Sequence, residues 1–134
     1  STARRSTRSS PPAVRKTLDA YFSAVNEDRF DDVAALFAPD ATLTAPGVGP
    51  LEPHEIAAYL AKALQGYPSH HDAPTRIVEA ASTATVEITF TGETQEGAPI
   101  TFDALDVFDF DEHGRITSLR TWFDSHELRK KLRA

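Results

Sequence analysis

The sequence ITFDALDVFDF, residues 100–110, alternates between two sets of side chains and is typical of a β-strand. One face of this strand carries Phe102, Ala104, Phe108 and Phe110, and the same apolar face also carries Asp106. Burying a carboxylate without a partner is costly, so Asp106 must either find hydrogen-bond donors or keep its proton. The strand therefore predicts a buried acid in the core of the fold.

The rest of the chain supplies helices first and long strands afterwards. Apolar periodicity, prolines and glycines predict helices over 11–26, 30–38, 53–65 and 125–133, strands over 41–45, 75–80, 83–91, 100–110 and 115–123, and loops over 46–50 and 68–74. This order predicts an α+β fold, in which a curved antiparallel β-sheet carries three N-terminal helices on its concave face.

Length and composition predict one domain. The chain has 134 residues, of which 40% are hydrophobic, and this is enough for one core. Residues 1–10, STARRSTRSS, are polar and aperiodic, which predicts a disordered arm followed by a single domain over 11–134. The net charge is −6 although three arginines lie in that arm, so we expect no nucleic-acid binding.

The absence of cysteine excludes disulfides, a thiol nucleophile and thiolate metal ligands. We find no apolar run long enough to span a membrane and no secretory signal at the start, so we expect a cytoplasmic protein without membrane contact. His70, His71 and Asp72 are able to bind metal, but adjacent residues on a predicted loop do not preorganise a site. We therefore expect neither a metal nor another cofactor.

Two more polar residues have a structural and a functional interpretation. Tyr21 lies in the apolar stripe of the first helix, where its hydroxyl needs a polar partner, unless it reaches solvent or a backbone carbonyl. Asp124 begins an Asp-x-x-Glu sequence with Glu127, which is typical of a capping box at a helix start. The alternative for Asp124 is a base in a pocket.

Four stretches of the chain together resemble one superfamily. They are AYFSAVNEDRFDDVAALFAPDATLTAP (Ala20–Pro46), EIAAYLAKAL (Glu55–Leu64), LDVFDF (Leu105–Phe110) and GRITSLRTWFD (Gly114–Asp124). The chain from Val14 to Leu132 is similar to the ketosteroid isomerase-like, or nuclear transport factor 2-like, superfamily, which includes SnoaL-like polyketide cyclases and limonene epoxide hydrolase. The resemblance implies a conical apolar pocket between helices and sheet, a fold that hosts many chemistries.

The resemblance also implies roles for individual residues. Ketosteroid isomerase uses a Tyr and a protonated Asp as an oxyanion hole and a second Asp as proton shuttle. These positions match Tyr21, Asp106 and Ala45 in this chain. An alanine cannot move a proton, so ordinary ketosteroid isomerisation is not implied.

Two hypotheses follow for the function. The first is a small-molecule enzyme of the isomerase, cyclase or epoxide hydrolase type, in which Asp106 and Tyr21 are catalytic and the substrate is apolar and polycyclic, terpenoid or polyketide. The residues expected to bind this substrate are Phe22, Val25, Leu43, Phe90, Phe102, Phe108, Leu119 and Phe123.

The second hypothesis is a non-catalytic ligand-binding or homodimeric assembly module of the same fold. In that case Asp106 and Tyr21 form an ordinary core hydrogen bond. The opposite face of the sheet, with Leu105, Val107 and Trp122, is a candidate surface for a homodimer. Ala45 favours this module, whereas the Asp–Tyr pair favours the enzyme.

Overall fold

The computed structural model describes residues 12–133. Its helices are α1 (Pro12–Asn26), α2 (Phe30–Ala34), α3 (Pro53–Leu64) and α4 (Ser125–Arg133), and its strands are β1 (Phe37–Ala45), β2 (Val48–Leu51), β3 (Ser69–Ala80), β4 (Thr83–Glu93), β5 (Pro99–Phe110) and β6 (Ile116–Trp122). The predicted disordered arm, residues 1–10, lies outside the described residues. Within them, no helix is long and apolar enough to cross a membrane.

The six strands form one curved, unclosed sheet in the order β2-β1-β6-β5-β4-β3. The predicted α+β class is confirmed. Neighbouring strands are antiparallel except β1 and β6, which run parallel. The parallel pair arises because β1 and β6 are far apart in sequence and are joined by the rest of the chain rather than by a hairpin.

Strand β5 has the alternating faces that its sequence predicts. On its inward face Ile100, Phe108 and Phe110 are buried, and Asp106 on the same face is only 5% exposed. The neighbouring strand β6 buries Leu119 on this side. The sheet therefore presents an acid to the helices from the middle of its inward face.

Helices α1 and α3 pack over the inward face of the sheet. The apolar stripe of α1 is buried, with Val14 and Leu18 each 1% exposed. Helix α3 begins with a capping box between Glu52 and Glu55, in which the Glu52 backbone N–H donates to the Glu55 carboxylate at 2.9 Å. Its buried Ile56 then packs into the same core.

The predicted helix over 30–38 is too long. Helix α2 ends at Ala34, and Phe37 and Ala38 already belong to β1, where both are buried. Pro39 cannot continue a helix because it lacks a backbone N–H, but it is tolerated near the start of a strand. The predicted strand over 41–45 is therefore the second half of a longer one.

Both predicted loops contain strands. Residues 48–51 pair with β1 as the short strand β2, so the predicted loop over 46–50 is mostly a hairpin. The predicted loop over 68–74 is the first half of β3, which pairs with β4 from Ser69 onwards. Pro74 is accepted there because β3 is an edge strand and its register shifts just after this residue.

Substituting Gly114 with alanine is expected to lower the free energy of unfolding by about 1–3 kcal/mol. Gly114 has φ +80° in the β5–β6 turn, and a Cβ atom there would lie 2.7 Å from the Cβ of Ala13 in α1. Urea unfolding measures the effect. Gly97→Ala is the matched control, because Gly97 has φ +83° with no atom within 4 Å of the new Cβ. Equal losses in the two variants would show that the contact with α1 is unimportant.

Candidate active site

A cavity of about 160 Å³ lies between the helices and the inward face of the sheet. Its wall is mostly apolar and aromatic, and the cavity is partly open to solvent. Five of the residues predicted to bind substrate lie on this wall, namely Val25, Leu43, Phe90, Phe102 and Phe123. Their role in binding stays a prediction.

The other three predicted substrate-binding residues do not line the cavity. Phe22, Phe108 and Leu119 are buried in the packed core, and Phe108 and Leu119 have no exposed surface. Tyr21 packs edge to face against Phe22 and against Phe108, and its ring centroid lies 5.1 Å from the centroid of each. Tyr21 lines the cavity, and these two rings lie behind it. On β6 the wall is formed by Thr121, two residues beyond Leu119.

The Asp106 carboxyl lies on the cavity wall in the middle of the sheet. Its Oδ1 accepts a hydrogen bond from Thr121 Oγ1 at 2.7 Å, and the two residues are direct partners across β5 and β6. Burial raises the pKa of Asp106 to about 7, although the Thr121 hydrogen bond opposes the rise and the nearby Asp72 charge adds to it. At neutral pH this carboxyl is therefore present in both protonation states.

The Tyr21 side chain also lines the cavity. Burial raises its pKa well above the ordinary tyrosine value, and the negative charges of Asp106 and Asp72 raise it further. Tyr21 thus keeps its proton and is a hydrogen-bond donor. Among the described residues, the hydrogen bond to Asp106 comes from Thr121, not from Tyr21 as the core hydrogen-bond alternative predicts.

A second carboxyl on the wall, that of Asp72, was not predicted as a site residue. Its backbone is held by the side-chain amide of Asn26 at the end of α1. Asn26 Nδ2 donates to the Asp72 carbonyl at 3.0 Å, and the Asp72 N–H donates to Asn26 Oδ1 at 2.8 Å. Burial raises the pKa of Asp72, while His70 and His71 oppose the rise. The end of α1 therefore supports an acid on the edge strand.

Tyr59 and Tyr67 complete the polar part of the wall and were also missed. Burial raises the pKa of each, and the Asp106 charge adds to the rise for Tyr59. The helical periodicity of α3 gave a signal for Tyr59, because Tyr59 lies three residues, or about one helical turn, after the buried Ile56. Thr121 also had a signal, because it alternates along the strand with Leu119 and Phe123, which were predicted to bind substrate.

Asp124 is outside the cavity and acts at the start of α4. Its Oδ1 accepts a hydrogen bond from the Glu127 backbone N–H at 2.9 Å, which is the contact that the capping interpretation predicts. Ala45, at the position of the isomerase base, does line the cavity and presents only a methyl group. Across residues 12–133, no group of three or more His, Asp or Glu side chains is arranged to hold a metal ion.

Replacing Thr121 by valine is expected to raise the pKa of Asp106 further, because the hydrogen bond from Thr121 favours the charged carboxylate. An NMR titration of the aspartate carboxyl carbons measures the change. Thr89→Val is the matched control, since Thr89 donates to the exposed Asp103 across strands at 3.0 Å. An unchanged midpoint for Asp106 in Thr121→Val would contradict the assigned hydrogen bond.

A SnoaL-like domain model matches residues 18–119. No curated protein matches significantly. Among solved structures, an NTF2-like protein of unknown function from Burkholderia pseudomallei is 20% identical with a TM-score of 0.80, covering 92% of this chain and 100% of the other.

Two further structures have names that describe a reaction. IdmH from Streptomyces antibioticus, a candidate polyketide cyclase, is 18% identical with a TM-score of 0.78 and covers 90% of this chain and 98% of its own. An LEH-like epoxide hydrolase from M. tuberculosis is 26% identical with a TM-score of 0.71, and the match covers 90% of this chain and 88% of the hydrolase chain. Together with the domain match, these structures show that the chain belongs to the SnoaL-like family of the NTF2-like fold.

Proposed function

We propose that the protein is a small-molecule enzyme that moves protons on an apolar substrate, with Asp106 as its acid–base group. The observation that carries this proposal is a carboxyl with a pKa of about 7 on the wall of an apolar cavity. A general base is most effective when its pKa lies near the working pH. The names of the cyclase and epoxide hydrolase of the same fold support a small-molecule enzyme.

The reaction that fits best is removal of a proton from a carbon next to a carbonyl group. The Asp106 carboxylate takes the proton, the C–H electron pair moves into the C–C bond, and the negative charge passes to the carbonyl oxygen. Tyr21 donates a hydrogen bond to that oxygen, and one such donor is worth about 3–4 kcal/mol in the transition state. If the ketone carries a β,γ double bond, return of the proton from Asp106 to the γ-carbon completes an isomerisation. If the substrate carries a second carbonyl group, the enolate carbon attacks it, the proton on Asp106 passes to the new alkoxide, and an aldol cyclisation is complete.

Ala45 decides which residue is the base in this proposal. In the isomerase scheme the aspartate at the position of Asp106 stays protonated and donates, while a separate aspartate moves the proton. Here the separate position is Ala45, and its methyl group cannot do so. Asp106 is therefore assigned as the base, and Tyr21 as the donor to the substrate oxygen.

Hydrogen–deuterium exchange tests the proposed function without knowledge of the natural substrate. A panel of apolar ketones, including 2-tetralone and a 3-ketosteroid, is incubated with the protein in D₂O, and mass spectrometry measures deuterium uptake. The wild type is expected to accelerate uptake for at least one ketone. Ala104→Trp, which fills the cavity beside Asp106, should abolish the acceleration. Uptake no faster than in buffer for every ketone would overturn the assignment.

Epoxide opening is the second candidate, because the LEH-like epoxide hydrolase is the most similar in sequence of the three structures described. In that reaction Asp106 would take a proton from a water molecule as the water oxygen attacks an epoxide carbon and the C–O bond breaks. Tyr21 would donate a hydrogen bond to the departing oxygen, and the proton held by Asp106 would then pass through solvent to this alkoxide to give the diol. Incubation of limonene oxide in H₂¹⁸O tests this directly. One ¹⁸O atom in the diol product is expected, and the absence of diol would remove this candidate.

Three further predictions stay proposals. They are that the protein forms a homodimer, that it serves as a non-catalytic binding or assembly module instead of an enzyme, and that it is cytoplasmic. Trp122 on the outer face of the sheet is 49% exposed, which supports a contact there. Light scattering of the wild type and Trp122→Glu tests the dimer. A wild type that is monomeric at all concentrations would contradict it, whatever the outcome of the exchange experiment.

A further inference from the structure

We propose that the substrate carries a quaternary or protonated ammonium group beside its apolar body, and that Asp72 binds this group. The inference rests on the proposed function, because it concerns the substrate of the same cavity. It assigns Asp72 to recognition and leaves proton transfer to Asp106.

The charges on the wall of the cavity are the first reason. Its titratable side chains are two carboxyls and three tyrosines, and none of the described residues that line it is a lysine, arginine or histidine. Each carboxyl therefore lacks a cation on the wall itself. Burial raises the pKa of both Asp72 and Asp106, and His70 and His71, which lie outside the wall, only partly oppose the rise for Asp72.

Asp72 differs from Asp106 in having a carboxyl with no protein partner. Across residues 12–133 its backbone makes two hydrogen bonds with Asn26, but its carboxyl oxygens make none. The nearby His70 ring is directed elsewhere, since its Nε2 lies 2.6 Å from Asp28 Oδ1. A positioned carboxyl without a partner in an apolar cavity is suited to a ligand that brings its own charge.

The aromatic wall is an independent second reason. Tyr67, Phe90, Phe102 and Phe123 line the cavity in one continuous row, with successive ring centroids 5.1, 4.7 and 5.7 Å apart. Phe90 and Phe102 stack on each other, whereas the rings of Tyr67 and Phe123 are tilted by 64° and 48° to their neighbours in the row. Groups of aromatic rings set at an angle to one another are the usual recognition site for methylated ammonium groups. A neutral apolar substrate would use the rings but would leave Asp72 unpaired.

Binding of an ammonium ion has a measurable consequence for protons. The cation stabilises both carboxylates and lowers their raised pKa values, so binding at about pH 7 must release protons to the buffer. The groups that face Asp72 are His70, His71, Asp106 and Tyr21. Of these, Tyr21 stays protonated at this pH, and Asp106 is the group expected to release most of the proton.

Two probes of the same shape test the proposal. They are (4-hydroxyphenyl)trimethylammonium and 4-tert-butylphenol, which differ only in the replacement of a positively charged nitrogen by carbon. Calorimetry with the full chain at about pH 7, where both probes keep their hydroxyl proton, is expected to show at least about tenfold tighter binding of the cation. At about pH 7, titrations in two buffers of different ionisation enthalpy should show proton release with the cation and none with the phenol.

Variants locate the effect at Asp72. Asp72→Asn should abolish the preference for the cation and leave binding of 4-tert-butylphenol unchanged. Asp103→Asn, a carboxyl on the outer face of β5, should preserve the preference. The comparison of the two probes on the wild type stands by itself if Asp72→Asn does not fold.

The outcomes separate this inference from the proposed function. Binding of the phenol with equal or weaker binding of the cation would overturn the ammonium proposal and leave the enzyme proposal standing. Failure of both probes, together with no deuterium uptake by any ketone, would remove the proposed function as well. A preference for the cation that survives in Asp72→Asn would overturn the assignment of Asp72.

Discussion

Replacing Asp106 by asparagine is expected to lower the rate of ketone deuterium exchange by about 10²–10⁴-fold, the usual contribution of a general base. Asparagine has nearly the same shape and still accepts the hydrogen bond that Thr121 donates to Oδ1. It cannot take up a proton. The loss should therefore appear in kcat, with little change in KM. Initial rates of deuterium uptake for the best ketone of the panel measure both constants.

The matched control for this variant lies on the same strand. Asp103 is an exposed carboxyl that also accepts a hydrogen bond from a threonine on the neighbouring strand. Asp103→Asn should retain the wild-type rate, because its carboxyl faces away from the cavity. Full activity in Asp106→Asn would show that Asp106 is a structural acid and that another group removes the proton.

The same substitution should change how folding stability depends on pH. The pKa of Asp106 is about 7 in the folded protein, whereas an ordinary aspartate, as in the unfolded chain, has a pKa of 3.8. At pH values between these two, the folded state therefore holds a proton that the unfolded state has released. This contribution to stability is fully present below about pH 4 and is lost as pH rises through about 7. A shift of this size corresponds to about 4 kcal/mol.

Asp106→Asn removes this loss because its amide stays neutral. The variant is expected to unfold with nearly the wild-type free energy at about pH 4, and to be more stable than the wild type at about pH 8 by as much as about 4 kcal/mol. Urea unfolding at both pH values measures the difference. Asp72 adds a pH dependence of the same sign in both proteins, because burial raises its pKa as well.

The sequence predicted the fold because its main signal was local. Alternation in residues 100–110 placed Asp106 on the apolar face of a strand, and the helical period of α1 placed Tyr21 on the apolar stripe of that helix. Both patterns depend on neighbouring residues alone. The same patterns show which side chains point inward, but they do not show whether an inward side chain reaches the cavity or is packed in the core. For this reason they could not separate Phe102, on the cavity wall, from Phe108, in the packed core.

The parts of the site that were missed depend on contacts between distant segments. The sequence around Asp72, PSHHDAP, is typical of a loop, and it becomes a strand because it pairs with β4 and is held by Asn26. Thr121 becomes the partner of Asp106 only through the register between β5 and β6. Local propensity does not contain either contact.

The most direct test of the account is the pKa of Asp106 itself. An NMR titration of the protein with ¹³C-labelled aspartate carboxyl groups, compared with Asp106→Asn to assign the signal, measures it without any substrate. A midpoint of about 7 is expected, because burial on the cavity wall outweighs the hydrogen bond from Thr121. A midpoint near 4 would mean that Asp106 is permanently ionised at neutral pH, and would contradict its assignment as a tuned acid–base group.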